Sequence, residues 1–513
     1  MANELLLSDD PQEMASGIKQ AIKNNADSDS LKKAKEGVRY YNYDHDILQN
    51  RIMYVDSNNI LREDKYASNL NIQHPFLPEL IDQKVQVLLA NPLEIEVEDP
   101  EFKKHLESYY DEDFQVFLDD LLTNGSQMGF EYAYARTTSE NRLTFQIADG
   151  LKVIPIYDNN NTVVRLLRYY TDEILKDGKK VKVNYAEMYD KSKVWYFIEK
   201  DKEEGYKLDV SKTPNPAPHV LAVNDEGELA GFDYGVIPFY RYKNNQKERT
   251  DLEPIKALID DYDLMSTFLS NNLQDFADAI YVVKGFEGDN LDKLRFNLKN
   301  KKTVGVGENG SVDVKTVNVP VEGRKIKMQM DKEAIYKFGF GFDTSQIADS
   351  HGSVTNVVIK AGFSLLNMKV NKTEVRLRAF LKWANELIVK DINRLNGTDY
   401  NANDVEFIIE REMLINEKDL VDNEKTEADI IQTKVQSILA SSPIIGDEET
   451  LKLICEIYDL DWEEVQSKMD VSNYEDGQDM ELLSDIPVSK DDSDEQNFKD
   501  SVMKMLDGLL EEV

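Results

Sequence analysis

At roughly 100 to 200 residues per unit, a chain of 513 residues predicts about three to five structural units, and 41% apolar with 31% charged residues fit a folded core beneath a heavily charged surface. The formal net charge of -36 argues against a conventional duplex-binding surface, which neutralises phosphates with Lys and Arg. No apolar run approaches the roughly 18 residues of a membrane-spanning helix, residues 1–12 lack the basic start of a secretory leader, and Cys455, the only cysteine, excludes an intrachain disulfide or a cysteine-built zinc cluster and reads as a small buried helical residue.

Residues 1–27 are polar and lack a sustained apolar period, so a mobile arm is expected. Ser28 or Ser30 can cap a helix through Tyr41, with Leu31, Ala34, Val38 and Tyr41 on one face. A Pro-punctuated turn then precedes a helix over Leu80–Leu89 and an alternating strand over Leu93–Val97, and Phe114–Met128 reads as another amphipathic helix. Between 130 and 245, β-branched and aromatic runs separated by Asn, Asp and Gly clusters predict a β-rich region, with Asp158 to Asn161 as a turn.

After Asp251 the pattern becomes helical, with Ile255, Leu258, Ile259, Tyr262, Met265, Leu269, Leu273 and Phe276 forming an apolar face. An insert follows: a strand at Tyr281–Val283, a short helix at Leu291–Leu298, and alternation over Thr303–Val319 around an Asn309-Gly310 hairpin signal. A second helix is predicted from Arg324 to about Phe338, stopping at Gly339 and Gly341. Beyond the polar stretch DTSQIADSHG (Asp343–Gly352), Ser353 opens a helix to about Leu395, with Gly362 as the expected kink. Residues 400 to 470 supply a strand at Val405–Ile409 and helices at Glu427–Leu439, Glu448–Tyr458 and Trp462–Met469, before an acidic tail.

Catalytic motifs are absent. Gly305-x-Gly307-x-x-Gly310 has dinucleotide-loop spacing, yet strand-like SVDVKTVNV follows where a helix N-terminus should hold the pyrophosphate. No Walker A sequence or Gly-x-Ser-x-Gly elbow occurs. The five histidines form no ligand pair, and Tyr43-Asp44-His45-Asp46, on an irregular segment, is expected as a solvated loop and not a metal site. No cofactor, metal or catalytic residue is expected.

Charge is unevenly spread. Asp470–Val513 holds 14 acidic and 3 basic residues, whereas Tyr281–Met330 holds 6 acidic and 10 basic. Lys325 and Lys332, seven apart, share a helical face near Arg324 and Lys327. That face suits phosphate contact; the plainer alternative is that these lysines pair with acids of neighbouring chains or solvate the surface.

NNQKERTDLEPIKALIDDYDLMSTFLSNNLQDFADAIYVVKGF, the basic insert, KMQMDKEAIYKF and FDTSQIADSHGSVTNVVIKAGFSLL, in this order and preceded by YYNYDHDILQNRI and NLNIQHPFLPELIDQKVQVLLANP, resemble the portal proteins of SPP1-type siphophages. The resemblance covers nearly all of the chain except its two tails. It implies an α+β portal fold: an N-terminal arm (1–27), a β-rich wing (28–250), a two-helix stem (251–280 and 323–341), a small α/β clip (281–322), a tunnel loop (342–352), a long wing helix (353–397), a helical crown (398–470) and an acidic tail (471–513).

The resemblance further implies a ring of identical subunits, typically a dodecamer, at one capsid vertex. Double-stranded DNA would pass through its channel, with the terminase large subunit, a head-completion adaptor, and scaffolding and major capsid proteins as partners. It places the protein in the virion after assembly in the host cytoplasm, with no membrane, and gives it no hydrolytic step. Expected contacts are Lys325, Lys327 and Lys332 in the stem channel, Ser345, Gln346, Ser350 and His351 in the tunnel loop, and Lys299, Lys301 and Lys302 in the clip. The loop lacks Lys and Arg, so it would meet DNA through polarity and shape. Competing readings are an acidic ring-forming scaffold or adaptor without DNA contact, and a hydrolase whose carboxylate site is hidden among many acids.

Overall fold

The structure, a computed structural model, describes residues 2–64, 67–138, 141–176, 179–200, 205–223, 229–275, 280–284, 290, 309–315, 320–345, 356–411, 430–441 and 444–457. Helix and strand are mixed throughout, as expected for an α+β chain. The chain divides into two compact units, one of Met1–Ser353 with Val357–Leu414 and one of Val354–Asn356 with Ile415–Val513.

The expected mobile arm is instead two packed helices, α1 (Ala2–Leu7) and α2 (Pro11–Ala26). Asp10 accepts the N–H of Gln12 and Pro11 opens the first turn, so α2 starts with a cap and a preset φ. Leu6, Met14 and Ile18 are buried against Ile156, Leu167, Met188, Trp195 and Phe197 of a sheet. The signal was the narrow line Met14, Ala15, Ile18, Ala21, whose small residues give little apolar contrast but allow close approach. Arg165 fastens the joint between the helices, donating to the carbonyl of Leu6 at 2.9 Å and to the Asp9 carboxylate.

Ser28 caps α3 (Asp29–Tyr41), its hydroxyl accepting the Leu31 N–H at 3.2 Å. The predicted β-rich region is borne out. Its largest sheet runs antiparallel through Lys207–Leu208, Lys193–Lys200, Lys179–Tyr189, Val163–Lys176 and Val153–Tyr157, with Ala217–Pro218 paired alongside. A three-stranded sheet has Phe130–Thr137 between Phe239–Lys243 and Leu143–Ile147. At the predicted turn, Asp158 accepts the N–H groups of Asn160 and Thr162 at 2.9 and 2.8 Å, and Asn161 takes a left-handed φ of 61°.

Helices α4 (Phe76–Leu88), α5 (Pro100–Glu107), α6 (Glu112–Met128), α7 (Lys256–Asp275), α8 (Val321–Gly339) and α9 (Asn356–Asn396) complete the first unit. The 41 residues of α9 span about 60 Å at roughly 1.5 Å per residue. The helix continues through Gly362, where a kink was expected. A Cβ at Gly362 would collide with the Phe342 ring, which stacks on Phe363 at 4.2 Å between centroids, so this glycine serves a close approach.

Strand Glu406–Ile408 pairs antiparallel with Glu94–Glu96, over a core in which Phe102 and Leu106 meet Leu387, Ile388 and Ile392. This pairing divides the segment expected as one crown, because residues 398–411 fold with the first unit. In the second unit, a helix over residues 430–441 and one at Asp447–Ile457 bury Val435, Leu439, Leu451 and Ile454 together. Cys455 is buried there, as expected. The predicted Trp462–Met469 helix and the acidic tail lie outside the described residues. Among the described residues, no helix is long and apolar enough to cross a membrane and no group of three His, Cys, Asp or Glu is placed to hold a metal.

Candidate functional site

The segment expected to form the channel is the helix pair α7 and α8 with the chain that braces it. Beneath α7 runs the stretch 68–74, held by every fourth side chain of the helix. Asp275 accepts the Ser68 N–H and hydroxyl at 2.9 and 2.6 Å. Asn271 accepts from Leu70 N and donates to Leu70 O at 3.0 and 3.2 Å. Thr267 does both to Ile72 at 3.0 and 3.4 Å, and Asp263 accepts the His74 N–H at 2.9 Å.

The geometry explains the register. Four helical residues rise about 6.0 Å and two extended residues about 6.6 Å, so a side chain meets an alternate peptide at each step. The helix face thereby substitutes for a neighbouring β-strand. Asp263, Thr267 and Asn271 are buried, so the most buried line along the body of α7 is polar. Of the expected apolar face, Ile255 and Ile259 are buried, Leu258, Tyr262, Met265 and Leu269 are partly buried, Leu273 is half-exposed, and Phe276 lies outside the described residues.

Asp263 also terminates two imidazoles: Nδ1 of His45 at 2.7 Å and Nδ1 of His74 at 2.8 Å. His45 is fully buried and stacks on Tyr40 at 4.4 Å, which corrects its expected place on a solvated loop. The flanking carboxylates turn elsewhere, Asp44 and Asp46 to Arg39 and Asp46 also to Lys256. The three do not converge on one site.

α8 covers the second predicted helix, starting three residues earlier. It buries Asp331, Ile335, Tyr336 and Gly339, and leaves Ile326 and Met330 exposed. Lys327 pairs with Asp261 of α7 and with Asp331 one turn ahead, and these hydrogen bonds raise its pKa. Lys332 lies 3.1 Å from Asp343 and donates to the Ser345 hydroxyl at 2.8 Å. Ser345 in turn donates from its N–H and hydroxyl to Asp343 at 3.1 and 2.8 Å. A predicted stem residue and a predicted loop residue thus meet through one carboxylate. Lys325 is exposed and has no carboxylate partner among the described residues. Gln346, Ser350, His351, Lys299, Lys301, Lys302 and the Leu291–Leu298 helix lie outside the described residues. Of the insert, Ile280–Lys284 pairs antiparallel with Ser311–Lys315.

Sequence reasoning missed the cluster at the base of the helix pair. Lys84 of α4, fully buried, lies 2.8 Å from Asp251, and donates to Ser126 of α6 and to Asn244. Lys369 of α9 lies 3.0 Å from the same Asp251 oxygen and donates to the Gly339 carbonyl at 2.9 Å. Asp251 loses proton affinity although burial opposes this, because Lys369 and Lys84 both face it. Lys84 is pushed down to about 8 by burial, since its one carboxylate is shared with another ammonium group. Lys84 stands between Leu80 and Leu88 at four-residue spacing on the buried face of α4, and a cation in that apolar stripe was the available signal.

Where α8 ends, Gly339 and Gly341 flank Phe340, which takes the left-handed conformation at φ 60°. The glycines instead make room for Leu80: a Cβ on Gly339 would lie 2.6 Å from Leu80 Cδ1, and one on Gly341 would overlap Cδ2. Gly341→Ala is expected to destabilise the first unit by about 1–3 kcal/mol through overpacking. Adding Leu80→Ala should recover part of that loss in a double-mutant denaturation cycle; strictly additive losses would refute the contact.

The family described as "Phage portal protein, SPP1 Gp6-like" matches residues 20–460. The chain is similar to the portal protein of Bacillus phage SPP1, 27% identical over 384 residues covering 74% of each chain. It is also similar to the portal protein of Clostridium phage phiCD119, 24% identical over 439 residues, 80% of this chain and 92% of that protein. A solved structure, the neck of a native GTA particle computed with C12 symmetry, aligns over 74% of this chain and 89% of its own with a TM-score of 0.34 and 11% identity, too distant a match to build on. With a family match across most of its length and the expected order of helices and strands around α7 and α8, the chain belongs to the SPP1 Gp6-like family of phage portal proteins.

Proposed function

We propose that this portal protein works as a dodecameric ring at one capsid vertex, with α7 and α8 of each copy as the stem around a channel for double-stranded DNA. The observation that carries this reading is the poverty of the pair's own core. α8 buries few side chains and shows Ile326 and Met330 to solvent at 60% and 61% exposure, a face that gains burial beside other copies. In this reading the terminase large subunit, a head-completion adaptor, and scaffolding and major capsid proteins dock on the ring. Residues 28–250 with α9 form the wing, 281–322 the clip, 342–352 the tunnel loop and 415–470 the core of the crown.

Charge supports a sliding surface over a gripping one. α7 carries four acids and one base, whereas α8 carries five bases and three acids, two of its lysines already matched to carboxylates. Phosphate contact in the stem then falls to Lys325, while Lys327 and Lys332 hold α8 to α7 and to the start of the loop. Gln346, Ser350 and His351 meet DNA in the loop, and Lys299, Lys301 and Lys302 serve the clip. The test is DNA packaging into procapsids assembled with Lys325→Glu, alongside negative-stain images of the purified rings. Packaging is expected to fall about tenfold with rings intact, the scale of one strong phosphate contact near 1.4 kcal/mol. Unchanged packaging removes Lys325 from the channel, and particles without a central opening sink the portal-channel reading.

A further inference from the structure

Away from the lysines of α8, a cleft of about 840 Å³ opens between the loop 244–254, the end of α8 and the middle of α9. Besides Lys369, which pairs with Asp251, three cations line it: Arg249, Lys372 and Arg376. None has a carboxylate within ion-pair distance among the described residues, although the chain holds 97 acids against 61 bases. The cleft's own acids are paired with other lysines. Asp251 is taken by Lys84 and Lys369, and Glu253 by Lys33 at 2.8 Å. An uncompensated positive cleft is the exception on a surface of the opposite sign.

Three exposed apolar side chains line the same cleft, Phe338 at 51%, Phe340 at 37% and Val375 at 67%. Phe340 holds its place in the left-handed region, at a cost on the order of 1–2 kcal/mol for a residue other than glycine. Lys372, Val375 and Arg376 share one face of α9 through three- and four-residue spacing. Aromatic side chains and arginine in one cleft are the residue types enriched at protein–protein contacts.

We propose that this cleft receives an acidic segment with an apolar tip from a neighbouring copy of the same chain. Arg249, Lys372 and Arg376 pair its carboxylates, and Phe338, Phe340 and Val375 cover its apolar side chain. The inference rests on the ring reading above. Charge complementarity selects the occupant: each copy carries a net charge of -36, and a ring presents those acids at high effective concentration while the same charge repels free phosphate backbones.

The experiment uses the full-length chain. Assembly of wild type and of Lys372→Glu/Arg376→Glu is followed by light scattering against concentration, with circular dichroism and melting of the unassembled protein as the folding control. Charge reversal is expected to raise the assembly midpoint at least tenfold while the fold is kept. Independently, a photo-cross-linking amino acid at Val375 in an otherwise wild-type chain should join two copies, the attached peptide being acidic. A wild-type midpoint in the double variant with no cross-linked dimer overturns the proposal. So does a variant that assembles normally but loses binding to a short single- or double-stranded DNA, which would make the cleft a nucleic-acid site. Wild type that never assembles defeats the ring reading itself, and is distinguished by being read before any variant.

Discussion

Asp251→Asn should lower the unfolding free energy of the first unit by about 3–5 kcal/mol, the scale for stripping a buried ion pair of one partner. Lys84 is fully buried, and its only carboxylate among the described residues is the one Lys369 also uses. Without it two ammonium groups face each other among neutral dipoles from Ser126 and Asn244. Lys84→Met should cost much less, because Asp251 keeps Lys369 and a methionine fills the same apolar volume. Chemical denaturation of the two variants decides it; equal losses would mean that Asp251 serves Lys84 alone.

The pH dependence has a definite sign. Lys84 titrates near 8 when folded and higher when unfolded, so between those values the unfolded chain binds more protons and this residue's contribution to stability rises with pH. The advantage of wild type over Lys84→Met should therefore grow from pH 7 to pH 10. A shrinking difference would show that the shared carboxylate outweighs burial. The cluster joins α4, α6, the loop before α7, the end of α8 and α9. Its loss should loosen the base of both helices proposed as the stem.

The polar line of α7 carries the second large effect. Asn271→Leu strips both partners from the Leu70 peptide and Thr267→Val both from that of Ile72, each costing about 1–3 kcal/mol for unsatisfied backbone groups. Asp263→Leu should cost most, since it also abandons the fully buried His45 and the partly buried His74. Hydrogen exchange over residues 68–74 reports this locally. Protection should fall on the order of ten- to a hundredfold, following those energies at 1.4 kcal/mol per decade. Protection unchanged in Asn271→Leu and Thr267→Val would show that packing alone holds the segment.

How much of this was legible depended on the kind of periodicity involved. α3, α6, α9 and the strands between 130 and 245 came through because their periods of 3.6 and 2 were strong and capped by recognisable residues such as Ser28. α2 was lost to a narrow stripe dominated by small residues. The spacing Asp263, Thr267, Asn271, Asp275 was in plain view, but its meaning depends on a partner segment about two hundred residues upstream in the chain.

The sequence by itself determined the class of protein: an acidic, mixed helix-and-strand chain without catalytic motifs, whose ordered segments resemble the phage portal family before any coordinate is consulted. Composition and local period suffice for this because they are additive along the chain. Only the tertiary structure decided what each charge does. It paired Lys327 and Lys332 with carboxylates, left Lys325 exposed, buried His45 on Asp263, and left three cations of a cleft without carboxylate partners among the described residues. The reason is physical: an ionic group's role is set by the charges within a few ångströms and by its access to water, and both are fixed by contacts between residues far apart in the chain.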